Sequence, residues 1–368
     1  MIYFDHGATS FPKPGAVSDA MAQALKTCAN PGRGGHKPAM EAARQVLACR
    51  KTAASFFGCQ PEQVVFTGNC TQGLNTAIFS LLKPGGRAVI SGFEHNAVTR
   101  PLHALGAKIT VAGRKLFDWQ DTLECFERAL RQGQDLAVFT VASNVFGYML
   151  PVEELCALCR TYGVPFVIDA AQGAGILPLN MGRLRADFIA MPGHKGLLGP
   201  QGTGILLCKN PPKPLLYGGT GSMSRVQTMP DFLPDVGEAG TVNVPGIAGL
   251  QAGIQTVRAR GLENIFAKEA RQGRLCAREL EKLGYRVFYG EHQLGTVSFM
   301  PNGDCEELAE YLACQGICVR AGLHCAPFAH ESAGTLDTGT VRISFGWDNT
   351  DRQRKKLLEI LEKSPIQI

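Results

Sequence analysis

Two rhythms of apolar and polar positions alternate along most of this chain. Short apolar runs occur at Arg87-Ala-Val-Ile-Ser91, Ala107-Lys-Ile-Thr-Val111, Asp135-Leu-Ala-Val-Phe-Thr-Val141 and Val164-Pro-Phe-Val-Ile-Asp169. Their β-branched and aromatic content predicts strands covered on both faces. Between them, His95–Leu105, Asp118–Gln132 and Val152–Tyr162 have helical length. Strand, helix, strand in succession implies right-handed crossovers and a mainly parallel sheet with helices on both sides. Upstream, Lys37–Phe57 sets Met40, Ala43, Leu47 and Ala54 at helical spacing. Asp187–Met191 and Thr203–Cys208 predict two more strands around a Gly-rich turn, Gly193–Gly199.

The rhythm stops at Pro211–Gly249, which is rich in Gly, Pro, Ser and Thr. A loop this long inside a domain is often functional. Helical pattern returns at Gly249–Arg260 and Glu263–Leu283. A strand (Gly295–Met300), a helix (Cys305–Gln315), strands at Ile317–Val319 and Thr340–Phe345, and a last helix (Asp351–Lys363) complete a smaller α+β unit. The expected division is an N-terminal segment, 1–14, packing with the small domain; a large domain, 15–255; and a small domain, 256–368.

Composition changes this picture little. The chain has 368 residues, 45% apolar and 19% charged, as globular chains do and disordered ones do not. Lys and Arg number 37 against 32 Asp and Glu, a net +5. The basic residues form no run of five or more, so the balance argues against a nucleic-acid partner and suits a small anion such as a phosphate. No apolar stretch is long enough to span a membrane, and the start does not read as a signal peptide, so the expected location is the cytoplasm. The thirteen cysteines are scattered and odd in number. In a long unsignalled chain they are expected to be reduced thiols, mostly packing. Cys156-Ala-Leu-Cys159 falls within a helical pattern, without a second pair at zinc spacing, and reads as core. His324, Cys325 and His330 are too irregularly spaced for a metal site, so no metal is expected.

Chemistry enters at Phe166-Val-Ile-Asp169-Ala-Ala-Gln172, where an apolar strand delivers a carboxylate to its C-terminal end. Ligands bind at that edge of open α/β sheets. A carboxylate there needs a partner, and a cationic ring nitrogen is one. In Gly193-His194-Lys195-Gly196 a lysine follows another strand; lysines of lowered pKa form Schiff bases. Asp for a pyridinium and Lys for an imine are the minimal set for pyridoxal phosphate. Phe66-Thr67-Gly68-Asn69-Cys70-Thr71-Gln72-Gly73 turns from a strand into a helix whose N-terminus could hold a phosphate. His95 and Asn144 end two further strands and reach the same edge.

Taken together these motifs resemble the cysteine desulfurase and selenocysteine lyase branch of the class V, fold-type I pyridoxal phosphate enzymes. The resemblance runs from Tyr3-Phe4-Asp5-His6-Gly7-Ala8 to the last helix. It rests most on Val167–Gln172, Gly193-His-Lys195, Glu238-Ala-Gly-Thr-Val-Asn243 and Arg320-Ala-Gly-Leu-His-Cys325. It implies a large domain built on a seven-stranded-type, mainly parallel sheet, and a homodimer. Lys195 would form the internal aldimine and move protons. Asp169 would pair the pyridine nitrogen, Gln172 the phenolate oxygen, and His95 would stack on the ring. Thr71, His194 and backbone near Cys70 would bind the phosphate, and Thr241 the phosphate in the partner subunit. Asn144 and Arg342, with Arg320, would engage the substrate carboxylate. Cys325 would take sulfur from L-cysteine as a persulfide, leaving alanine, and pass it to an acceptor protein or small thiol. Nearby Arg320 and His324 could favour its thiolate. L-selenocysteine is the alternative substrate, and an aminotransferase or β-lyase that does not use Cys325 the alternative activity. One position departs from the pattern: Pro192 stands where a phosphate-binding hydroxyl is usual.

Overall fold

The computed structural model describes residues 1–32 and 34–366. Its strands are β1 (Ile2–Tyr3), β2 (Val64–Thr67), β3 (Arg87–Ser91), β4 (Lys108–Ala112), β5 (Leu136–Thr140), β6 (Phe166–Asp169), β7 (Phe188–Pro192), β8 (Gly204–Cys208), β9 (Arg286–Phe288), β10 (Thr296–Met300), β11 (Ile317–Cys318), β12 (Arg320–Gly322) and β13 (Thr340–Ser344). The apolar runs pair into a seven-stranded sheet of order β2-β8-β7-β6-β5-β3-β4. Only β8 runs against its neighbours. Every residue of β5, β6 and β7 is buried, which is why these runs show no polar alternation.

Successive side chains leave the sheet on opposite faces. Val89, Ala137 and Phe139 join one core with helices 37–57, 119–131 and 152–161. Ala88, Ile90 and Val138 join another with helices 70–81 and 96–104. A second sheet, β12-β13-β10-β9, is antiparallel throughout. It shares a third core with helices 262–282, 305–314 and 351–362. The N-terminal strand β1 pairs in parallel with β11, and Phe4 enters that third core.

The helices 15–27 and 327–333 have no counterpart in the sequence pattern. Helix Val244–Arg260 starts five residues earlier than its apolar period suggests. Pro245 fits its first turn, and Asn243 accepts from the Gly246 N–H at 3.0 Å. In helix Lys37–Phe57 the apolar residues Met40 and Leu47 are 46% and 47% exposed. The buried face is instead small, with Ala39, Ala42, Cys49 and Ala53, and packs on helix 244–260. Between β8 and that helix, the only regular structure described is one turn at Asp235–Gly237.

One ion pair anchors this long loop. Arg50 grips Glu238 through two bonds of 2.8 Å, with both side chains nearly buried. Glu238 also accepts from the Phe66 N–H at 2.7 Å, tying the loop to β2. Removing one partner strands a buried charge. Glu238→Ala is therefore expected to cost about 3–5 kcal/mol, measured as a lowered midpoint in denaturant unfolding.

Candidate active site

Strands β3, β5, β6 and β7 end at one edge of the large sheet, and their following residues wall a cleft of about 310 Å³. Asp169, at the last position of β6, is 2% exposed. Its Oδ1 accepts from the Ala171 N–H at 2.9 Å and from the Cys70 thiol at 3.5 Å. Burial, and then the Asp169 charge, push the Cys70 thiol well up, so it stays protonated and donates.

Lys195 follows β7 in a turn whose glycines, Gly193 and Gly196, leave no room for a side chain. A Cβ on Gly193 would lie 2.1 Å from Thr203 Oγ1, and one on Gly196 would lie 2.4 Å from the Ala174 carbonyl. Burial, then the Arg342 guanidinium, lower the Lys195 ammonium from its ordinary value. An amine so placed is a base and a nucleophile. Burial and the neighbouring Lys195 and Lys13 take His194 down to about 4, so its imidazole is neutral at pH 7.

Helix 70–81 points its N-terminus into the cleft beside Cys70 and Thr71. Asn69 caps it, accepting from the Gln72 N–H at 2.9 Å. His95 caps helix 96–104, accepting from the Ala97 N–H at 3.0 Å through Nδ1. That bond leaves the proton on Nε2, and the ring also lines the cleft. Gln172 donates to the Gly7 carbonyl at 3.1 Å.

The far wall comes from the second sheet. Arg342 in β13 is 2% exposed. It donates to Asp5 Oδ1 at 2.6 Å and to the Asn144 carbonyl at 2.9 Å. Asp5 Oδ2 accepts from Arg320 Nε at 3.0 Å. Cys325 is exposed at the cleft, in a turn where His324 and Cys325 have φ of 51° and 56°. Asn144 Nδ2 donates to the His324 carbonyl at 2.7 Å, and the Asn96 N–H donates to the Cys325 carbonyl at 2.7 Å.

The cleft thus gathers Cys70, Thr71, His95, Asn144, Asp169, Gln172, His194, Lys195, Arg320, Cys325 and Arg342. Thr241 lies apart, exposed beside Glu238 in a separate concavity. Burial, then Arg342, hold the His324 imidazole well below its ordinary value, so the ring beside Cys325 is neutral. Pro192 lines the cleft, as its position implied, and supplies no hydroxyl.

Asp5 and Glu94 are the partners that sequence reasoning missed. Asp5 acts across a separation of 337 residues. Glu94 was visible only as the neighbour of His95. It is fully buried behind Asp169, with Oε1 accepting from the Ser91 hydroxyl and, at 2.9 Å, from the Thr140 N–H.

A mainly parallel sheet with a lysine and an aspartate at its ligand-binding edge defines the fold class of fold-type I pyridoxal phosphate enzymes. The family model described as Aminotransferase class-V matches residues 2–357, and the chain belongs to that family. It is 31% identical to a probable cysteine desulfurase of Methanothermobacter thermautotrophicus, across 98% of this chain and 94% of the relative. A probable cysteine desulfurase of Pyrococcus abyssi is 32% identical, across 99% and 94%. The apo structure of a cysteine desulfurase from Thermococcus onnurineus NA1 superposes with a TM-score of 0.90 at 32% identity, covering 98% of this chain and 94% of the other.

The family's cofactor is pyridoxal phosphate, and the cleft has the donors for it. Asp169 offers an anion for a ring nitrogen, Lys195 an amine, and helix 70–81 an N-terminus for a phosphate. Three buried polar atoms on cleft residues, Asn144 Oδ1, His324 Nδ1 and Arg342 Nε, have no hydrogen-bond partner among the described residues.

Burial pushes the Glu94 carboxyl from 4.5 up to about 8; Ser91 partly offsets this and Asp169 adds to it. Between those values the folded chain keeps a proton that the unfolded chain releases, so stability falls as pH rises. Glu94→Gln removes that loss. Its melting temperature relative to the parent should rise from about pH 5 to about pH 8; a difference independent of pH would refute the assignment.

Proposed function

We propose that this chain is a cysteine desulfurase that takes sulfur from L-cysteine onto Cys325. The observation that carries the reading is an exposed thiol on the rim of the cleft that holds Lys195 and Asp169. In the net reaction the substrate Cβ–S bond breaks and an S–S bond to Cys325 forms. One thiol proton ends on the carbon, so the carbon is reduced as the Cys325 sulfur is oxidised. Atoms and electrons balance without an outside oxidant.

When bound, pyridoxal phosphate supplies an electron sink for the carbanion formed at Cα. Asp169 would keep the ring nitrogen protonated, and the Cys70 thiol holds that carboxylate in place. Thr71, His194 and the N-terminus of helix 70–81 would hold the phosphate, and His95 and Gln172 would hold the ring. Lys195 Nζ takes the α-proton, a role suited to an amine whose pKa burial has lowered. Arg342, Arg320 and Asn144 receive the substrate carboxylate. The Cys325 thiolate attacks the sulfur.

The persulfide then passes to an acceptor protein or small thiol. A thiol that must be regenerated each turnover suits the reducing cytoplasm. The active form is a homodimer in this reading, with Thr241 serving the partner subunit's phosphate site. Apolar residues exposed near that region, Tyr217, Met223 and Phe232, and on helix 37–57, Met40 and Leu47, support a covered face.

Purified protein supplied with L-cysteine should release alanine and, with a reductant, sulfide. Cys325→Ala should lose sulfide release while keeping the cofactor's absorbance band, and Lys195→Ala should lose that band and about 10²–10⁴-fold in rate. Undiminished sulfide release by Cys325→Ala would leave a β-lyase, and a strong preference for L-selenocysteine would make the chain a selenocysteine lyase.

A further inference from the structure

Lys195 and Gln172 also wall a second cavity, of about 40 Å³. It is too small for substrate or cofactor and has room for roughly three water molecules at 10–15 Å³ each. Its other polar walls are His6, Ser10, Glu269, Thr296, Ser344 and Trp347.

These walls carry unusual groups. Glu269 is 5% exposed and makes no hydrogen bond or ion pair among the described residues. His6 is 8% exposed, and its Nε2 has no hydrogen-bond partner among the described residues. Asp348 Oδ1 stands 3.6 Å from that nitrogen, beyond hydrogen-bond reach. The buried Trp347 Nε1 is likewise unpartnered. Buried polar groups are almost always satisfied, and a lone buried carboxyl is costly. Glu269, His6 and Trp347 line one cavity with room for a few waters, and a polar lining of this kind suits the two to four partners that a buried water needs.

We propose that Glu269 is the proton store of Lys195, joined to it by water in this cavity and to solvent by His6 and Asp348. The inference rests on the desulfurase reading, in which Lys195 takes a proton from Cα. Asp348 is 28% exposed and forms the outer end of the path. A proton moves from Lys195 Nζ through water to Glu269, or back, with only N–H and O–H bonds exchanged. The charged groups acting on Glu269 are Asp348 and, on its own helix, Lys268, while His6 and Lys195 line the same cavity. Burial above all raises its carboxyl to about 8, Lys268 opposing and Asp348 adding, so near neutral pH it can both give and accept a proton.

Holoenzyme turning over cysteine deuterated at Cα in ordinary water tests the relay. The parent should wash most of the deuterium out, because the relay exchanges it from Lys195. Glu269→Gln should retain severalfold more deuterium at Cα of the alanine, and Glu269→Asp should restore washout. Retention is a ratio within the product, so partial unfolding of a variant does not change it, and a merely structural role would leave it unmoved. Equal retention in parent and Glu269→Gln overturns the relay. Failure to form alanine in the parent overturns the desulfurase reading instead. A crystal structure of the holoenzyme supplies a second readout: ordered water bonded to Glu269 in this cavity is expected, and a dry cavity would refute the proposal.

Discussion

Burying the guanidinium of Arg342 sets the terms for the rest of this molecule. An ion in the protein interior costs several kcal/mol unless its hydrogen bonds are met. Here its two terminal nitrogens are met from two distant parts of the chain. Asp5 arrives with the N-terminal segment, and the Asn144 carbonyl arrives from the end of β5. Arg342 itself belongs to β13, so the small sheet has one favourable seat against the large one. Asp5 binds Arg320 as well, and Arg320 lies opposite Arg342 in the β12–β13 pairing. One carboxylate thus neutralises two cations beside the cleft. It also explains why so short a first strand is ordered: Asp5 and Phe4 hold what two residue pairs alone could not.

The Cys325 turn depends on that seating. His324 and Cys325 both adopt left-handed backbone, which costs side-chain-bearing residues of order 1–3 kcal/mol each at such sites. Two donors from the large sheet's side offset this: Asn144 on one carbonyl and the first N–H of helix 96–104 on the next. The same helix begins next to His95, so the cap that orients the imidazole and the clamp on the thiol loop share one element. Strain at the turn lifts the thiol out to solvent while its backbone stays fixed to the cleft.

Much of this was legible in the sequence, for physical reasons that also explain the gaps. Strands buried on both faces produce continuous apolar runs, so β3, β5, β6 and β7 stood out. Asp169 and Lys195 were readable because a charge at the end of such a run has few reasons to be there. Helix 37–57 was readable in extent, but its apolar positions misled about its buried face. Close helix packing selects Ala over Leu, which leaves Met40 and Leu47 outside. Asp5, Glu94 and Glu269 carry no local signal at all. Their meaning depends on partners, or on a lack of partners, that only the folded chain defines.

Thirteen cysteines pose a problem of selectivity that the fold answers by position. A thiol that carries sulfur must be reachable, ionisable and near the substrate at once. Burial pushes Cys49, Cys156, Cys159 and Cys276 up to about 12, so they remain inert thiols in the cores. Cys70 is near enough, but its proton is held against Asp169. Cys314 is exposed, yet it ends a helix outside the walls of the cleft. Cys325 alone is both exposed and on that wall. Chemical choice among identical side chains is therefore made by the turn that carries one of them, and that turn is held by the contacts that seat Arg342.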